Sequence, residues 1–229
     1  MSDASRLSVL RRLHAITGVF PVGIWLVFHL WETGSALSGR RSFEAAVSGS
    51  AGGAVALALE ITLVLVPLGF HAAAGVVLAL QQRADRDPGP FASRTWRSFQ
   101  WATGLVALAF VFLHLAHTWL TKLGGLDAAA QYDELMASLG RPTMLVAYVV
   151  GITCVCFHAA QGLGALPIHL GLVTETRALR ASRLLGLLVG VALWLVALNT
   201  VSHFAIGRAV LWGGHASGLE PTSTATEEP

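Results

Sequence analysis

Apolar residues fall into five long runs, and every Asp, Glu, Lys and Arg lies between or beyond them. The runs are Leu13–Trp31, Ile61–Gln82, Ser98–Thr121, Pro142–Thr174 and Leu184–Gly207. Each reaches about the 20 residues that a helix needs to cross a bilayer. A helix is also the form that closes a lone segment's backbone hydrogen bonds where water is absent. The pattern therefore predicts an all-α integral membrane fold with five transmembrane helices. The fourth run is long, and Pro167 is expected to end or kink its helix. Arg6, Arg11 and Arg12 precede the first run, as in a secretory signal. That run is long enough to be a mature span instead.

Five crossings put the termini on opposite sides. With the N-terminus cytoplasmic, the inner segments hold Arg6, Arg11, Arg12, Arg83, Arg86, Arg94, Arg97, Arg177, Arg180 and Arg183. The outer segments hold only Arg40, Arg41, Lys122, Arg141 and Arg208. The positive-inside rule then favours N-in and C-out. Asp85–Pro90 is rich in Pro and Gly and reads as an inner turn. The outer stretch Gly124–Leu139 is expected to form a short surface helix. Residues 1–211 read as one membrane domain, and 212–229 as a polar, disordered tail.

Composition agrees with the pattern. Hydrophobic residues make up 54% of the 229 positions and charged residues 12%, about half the charge of an ordinary soluble domain. A net charge of +2 gives no basis for nucleic-acid binding. Cys154 and Cys156 lack metal-ligand spacing and read as small core residues. The seven tryptophans mostly lie near run ends, as an aromatic belt does.

The histidines change the picture. His29, His71, His114 and His158 each lie inside a different apolar run. Ionisable side chains at that depth are costly and mark functional sites. At about 1.5 Å of rise per residue, His29 and His114 lie roughly 24 and 26 Å from the cytoplasmic ends of their runs. His71 and His158 lie roughly 18 and 14 Å from theirs. The four thus form an outer pair and an inner pair, each at one level. Two imidazoles at one level on facing helices suit the two axial positions of a haem iron. Zinc usually takes three or four protein ligands. With both axial positions filled, such a haem carries single electrons. The small residues Ala72, Ala74 and Gly75, and Ala159, Ala160 and Gly162, would let a macrocycle approach; they equally suit plain helix packing.

The segments RRLHAITGVFPVGIWLVFHL (11–30), ALEITLVLVPLGFHAAAGV (58–76), WATGLVALAFVFLHLAHTW (101–119) and VGITCVCFHAAQGL (150–163) resemble the five-helix, di-haem cytochrome b subunit of succinate:menaquinone oxidoreductases and fumarate reductases. The resemblance covers about residues 8–206, and its most specific part is the ordered set of four histidines in context. It implies two b haems in a four-helix bundle, with a fifth helix outside or beside it. His71 and His158 would hold the inner, proximal haem, and His29 and His114 the outer, distal one. It also implies two partner subunits on the cytoplasmic side, an FAD flavoprotein and an iron–sulfur protein, with menaquinone as electron acceptor near the distal haem. The chain itself has no flavin or iron–sulfur motif, so the dicarboxylate chemistry would belong to the partners.

Further candidates follow. His14, at the inner mouth of the first run, is a candidate contact for a haem propionate or the iron–sulfur partner. His117, Lys122, Arg40 and Arg41 are candidates for the distal propionates. Reduction of a quinone consumes two protons, so Glu32, Glu60 and His117 are candidates for a quinone and proton site. His203 is another possible wall of it. Two rival readings stay open: a di-haem cytochrome b of a hydrogenase or formate dehydrogenase, and a small proton-linked transporter without haem.

Overall fold

The computed structural model describes residues 3–50, 53–82, 94–173 and 175–213. Among them the regular elements are helices, and five are long and apolar enough to span a membrane. These are the first span Ser5–Ser38, the second Ala54–Gln81, the third Ser98–Trp119, the fourth Pro142–His169 and the fifth Thr176–Ile206. The inner turn Asp85–Pro90 and the tail beyond Gly213 lie outside the described residues.

Several of the predicted boundaries move, among them the start of the second span, at Ala54 rather than Ile61. The first helix begins near Asp3 and the fifth at Thr176, both well before their apolar runs. A helix continues past the hydrocarbon wherever water can solvate charged side chains such as Arg6 and Arg180. The fourth helix stops at His169, two residues past Pro167. Wide π turns interrupt three spans, at Gly18–Gly23, Ile61–Leu65 and Leu115–Trp119. Pro21 and Pro67 cannot donate to the ladder, so they account for a local shift in the first two. The third turn has no proline and begins immediately after His114.

The spans are thinly buried against one another, and large apolar side chains such as Leu63, Phe112, Leu184 and Leu188 face outward. That is the surface lipid would cover. The fifth span docks on the fourth through small residues. A Cβ added at Gly186 would strike the Ala160 carbonyl, and one at Gly190 the Ala160 side chain. The Ser182 hydroxyl donates to the Gly164 carbonyl at 2.9 Å. Ser182, Gly186 and Gly190, against Cys156, Ala160 and Gly164, form a small-residue seam at four-residue spacing, the usual way backbones approach in membranes. Cys156 is buried and unbridged there, as a small core residue.

The densest core is not midway along the spans but in a cap at the end of the bundle nearer His29 and His114. Helices Arg40–Ser50 and Ala128–Leu139 bury Phe43, Val47, Tyr132 and Leu139 against Tyr148, Val201 and Phe204. The predicted surface helix of 124–139 is therefore a packed one. It starts where Asp127 caps the Ala130 amide at 2.8 Å. Arg40 is committed to this cap. It pairs with Glu44 at 2.7 Å and with both oxygens of Asp133 at 2.5 and 2.9 Å, which holds the Asp133 carboxyl below its usual range. Its donors are thus engaged, and the propionate role expected of Arg40 gives way to this one.

Candidate functional site: two imidazole pairs

The four intramembrane histidines meet two by two. The ring centres of His71 and His158 are 6.0 Å apart with planes at 82°. Those of His29 and His114 are 5.6 Å apart at 75°. One metal gripped by two imidazoles through bonds of about 2 Å places the ring centres about 6 Å apart. The separations of both pairs lie near that value. Among the described residues no group of three or more His, Cys, Asp or Glu converges on one point. A metal here would have two protein ligands, as an iron already held in a porphyrin plane has.

The inner pair is fixed from behind. The Nδ1 of His71 lies 2.9 Å from the His14 carbonyl, and that of His158 lies 3.1 Å from the Gln100 carbonyl. A carbonyl only accepts, so Nδ1 carries the proton on both rings. Nε2 is then the lone-pair nitrogen, the one a metal can take. The rings lie where glycines leave room. A Cβ on Gly18 would strike the His71 ring, and one on Gly104 would lie 2.8 Å from His158 Cε1.

His14 is part of this packing. Its ring stacks on His71 with centres 3.9 Å apart and planes 11° apart. Its Nδ1 donates back to the His71 carbonyl at 2.9 Å. The residue expected at an inner mouth thus lies half-buried between spans.

The outer pair has a polar side. Tyr148 places its hydroxyl 3.3 Å from His114 Nδ1 and 2.7 Å from His117 Nδ1. His117 Nε2 stands 3.7 Å from the Glu134 carboxylate on the cap. The His117 side chain is only 8% exposed, so it turns inward rather than to the outer surface. Trp25 stacks parallel on His29, with centres 4.7 Å apart, and Phe110 stacks on His114 at 5.7 Å. Glu32 and Glu60 are half-buried in the first and second spans. Fully buried His203 accepts or donates at 2.9 Å with the Tyr132 hydroxyl, inside the cap. His169 is exposed at the end of the fourth span.

Tyr148, Gln100, Gly18, Gly104 and Trp25 escaped sequence reasoning as site residues. A signal for several of them existed. Phe70-His71-Ala72-Ala73-Ala74-Gly75 repeats as Phe157-His158-Ala159-Ala160-Gln161-Gly162, and His14-Ala15-Ile16-Thr17-Gly18 repeats as Gln100-Trp101-Ala102-Thr103-Gly104.

The chain is 33% identical over 197 residues to the succinate dehydrogenase cytochrome b558 subunit of Bacillus subtilis (strain 168), an alignment covering 85% of this chain and 95% of that protein. No family model and no solved structure matches the chain.

Proposed function

Because the chain belongs to the succinate dehydrogenase cytochrome b subunits, we propose that it is the membrane anchor through which such a complex exchanges electrons with menaquinone, using two bis-histidine b haems. Family membership sets aside the hydrogenase and transporter readings. His71 and His158 would hold the proximal haem, and His29 and His114 the distal one. Bound there, the haems supply one-electron transfer between the iron–sulfur partner and the quinone. The flavoprotein and iron–sulfur subunits dock on the cytoplasmic side, beside the N-terminus. The observation that carries the reading is the pair of imidazole separations, 6.0 and 5.6 Å, each suited to one shared metal.

The chain's own groups account for orientation and protons. Backbone carbonyls of His14 and Gln100 fix the proximal tautomers. On the outer side the hydrogen bonds have one consistent direction. If His114 gives Nε2 to iron, its Nδ1–H donates to Tyr148. The Tyr148 hydroxyl then donates to His117 Nδ1, leaving His117 Nε2–H toward Glu134. This line joins the outer imidazole to a carboxylate at the surface. His117, Glu32 and Glu60 are the groups we assign to proton delivery for the quinone.

The test is haem content of the purified complex. Two haems per chain are expected in the wild type, and one in each of His71→Ala and His114→Ala. Haem-free wild-type complex, or variants with undiminished content, would refute the assignment.

A further inference from the structure

The four haem-bundle spans are an internal repeat, and the repeat extends to contacts. The first span matches the third, and the second matches the fourth, with offsets of 85 to 87 residues, as from His29 to His114, from His14 to Gln100 and from His71 to His158. His29 stacks on Trp25, four residues earlier; His114 stacks on Phe110, four residues earlier. Thr33 donates to the His29 carbonyl and Thr118 to the His114 carbonyl, both at 2.8 Å. Thr17 and Thr103 each donate one turn back, at 2.8 and 2.7 Å, to Leu13 and Phe99. Gly18 seats His71 as Gly104 seats His158. The spacing from Gly18 to His29 is one residue longer than from Gly104 to His114, and the π turn Gly18–Gly23 falls in that interval. Such a turn absorbs one extra residue while keeping the face of the helix.

Each half therefore gives one histidine to each pair. Within this frame His14 and Gln100 correspond. The Gln100 carbonyl accepts from His158 Nδ1 and the Gln100 side chain donates to the His158 carbonyl at 3.3 Å. The His14 carbonyl accepts from His71 Nδ1 and the His14 ring donates to the His71 carbonyl at 2.9 Å. Two different side chains close the same reciprocal bond.

We propose that His14 and Gln100 are equivalent positioning residues, one in each half of the repeated bundle, which lock the two imidazoles of the inner pair from opposite sides with Nε2 free. The inference rests on the di-haem reading above. Its distinctive content is that His14 acts through its hydrogen bond to span two and not as an ionisable group, so glutamine can replace it. The stacked ring is the one difference between the halves. It occupies the space beside Gly75, where a Cβ would lie 3.0 Å from His14 Cε1, whereas a Cβ on the matching Gly162 meets nothing within 4 Å.

The experiment uses the full complex in its membrane, with His14→Leu, Gln100→Leu and His14→Gln. Electron paramagnetic resonance of the ferric protein reads each haem separately, and the outer pair serves as internal control. Both leucine variants are expected to shift the proximal signal and leave the distal one in place, and His14→Gln to keep the wild-type position. A thermal melt adds a readout independent of haem. Gly75→Ala is expected to lower the midpoint more than Gly162→Ala, and adding His14→Gln to Gly75→Ala to restore it. An unmoved proximal signal in both leucine variants overturns this inference alone, as does a His14→Gln variant as damaged as His14→Leu. A wild-type complex without haem overturns the function proposed above.

Discussion

Tyr148 has a single hydroxyl proton between two histidine nitrogens, at 3.3 Å from His114 and 2.7 Å from His117. It can donate to only one. The shorter bond, to His117, is the better candidate for the donated one, and His114 then donates to the tyrosine oxygen. An acceptor on the far nitrogen makes an imidazole a stronger electron donor to its metal. That favours the ferric state. Tyr148→Phe keeps the ring that packs on Phe110 and removes only the oxygen. We expect the distal haem potential to rise, the proximal potential to hold, and haem content to stay at two. A net hydrogen bond of about 1 kcal/mol corresponds to about 40 mV for a one-electron couple. Redox titration of the two haems in the variant complex measures it, and a fall or no change would break the proposed bond direction. At this scale the sequence was legible where burial is expensive: four histidines in runs without charge stand out by themselves. Tyr148 and Gln100 do not, because an aromatic or amide near a run end is ordinary interface composition. Their roles come from helices that are distant in sequence, and only the repeated motifs hint at them.

At the scale of elements, the five apolar runs were legible because lipid imposes length and excludes charge, whatever the packing. Their ends were not, since helices such as Thr176–Ile206 run on into water where hydropathy no longer reports them. The π turn at Leu115–Trp119 was invisible for a different reason: it shifts hydrogen bonds without a proline to mark it. The seam between the fourth and fifth spans follows from the spacing of Ser182, Gly186 and Gly190 once the partner is known. It yields a prediction. Gly186→Leu inserts a side chain where even a Cβ meets the Ala160 carbonyl. Overpacking of this kind typically costs about 1–3 kcal/mol. We expect a lower thermal midpoint for the complex while both haem signals keep their positions, because the fifth span carries none of the four paired histidines. Loss of a haem in Gly186→Leu would show that this helix helps to form the bundle rather than lean on it.

At the scale of the whole molecule, the repeat and the cap give the bundle two unlike ends. The inner pair is held by backbone carbonyls of the spans themselves. The outer pair lies beneath a cap whose buried Phe43, Tyr132 and Phe204 tie Arg40–Ser50 and Ala128–Leu139 to the fifth span. Asn199 closes the same end, donating to the Trp212 carbonyl at 2.6 Å and accepting from the Leu211 amide at 2.8 Å. The charge count favours a cap on the outside, and the direction of the proposed electron flow across the membrane depends on that placement. If the cap is outside, charge moves between an inner and an outer haem, and each elementary charge crossing the membrane does work of about 2.3 kcal/mol per 100 mV. If it is inside, the outer-end groups Tyr148, His117 and Glu134 would take protons from the cytoplasm, and the coupling would change sign. The orientation is therefore worth a direct measurement. Ala137 is exposed on the cap, and Glu175 is exposed ahead of the fifth span at the opposite end. Cys154 and Cys156 lie within the fourth span and can be replaced by alanine to give a clean background. Ala137→Cys should then react with a membrane-impermeant maleimide in intact cells, while Glu175→Cys reacts only after the membrane is opened. The reverse pattern would turn the molecule over and, with it, the sign of the predicted dependence on membrane potential.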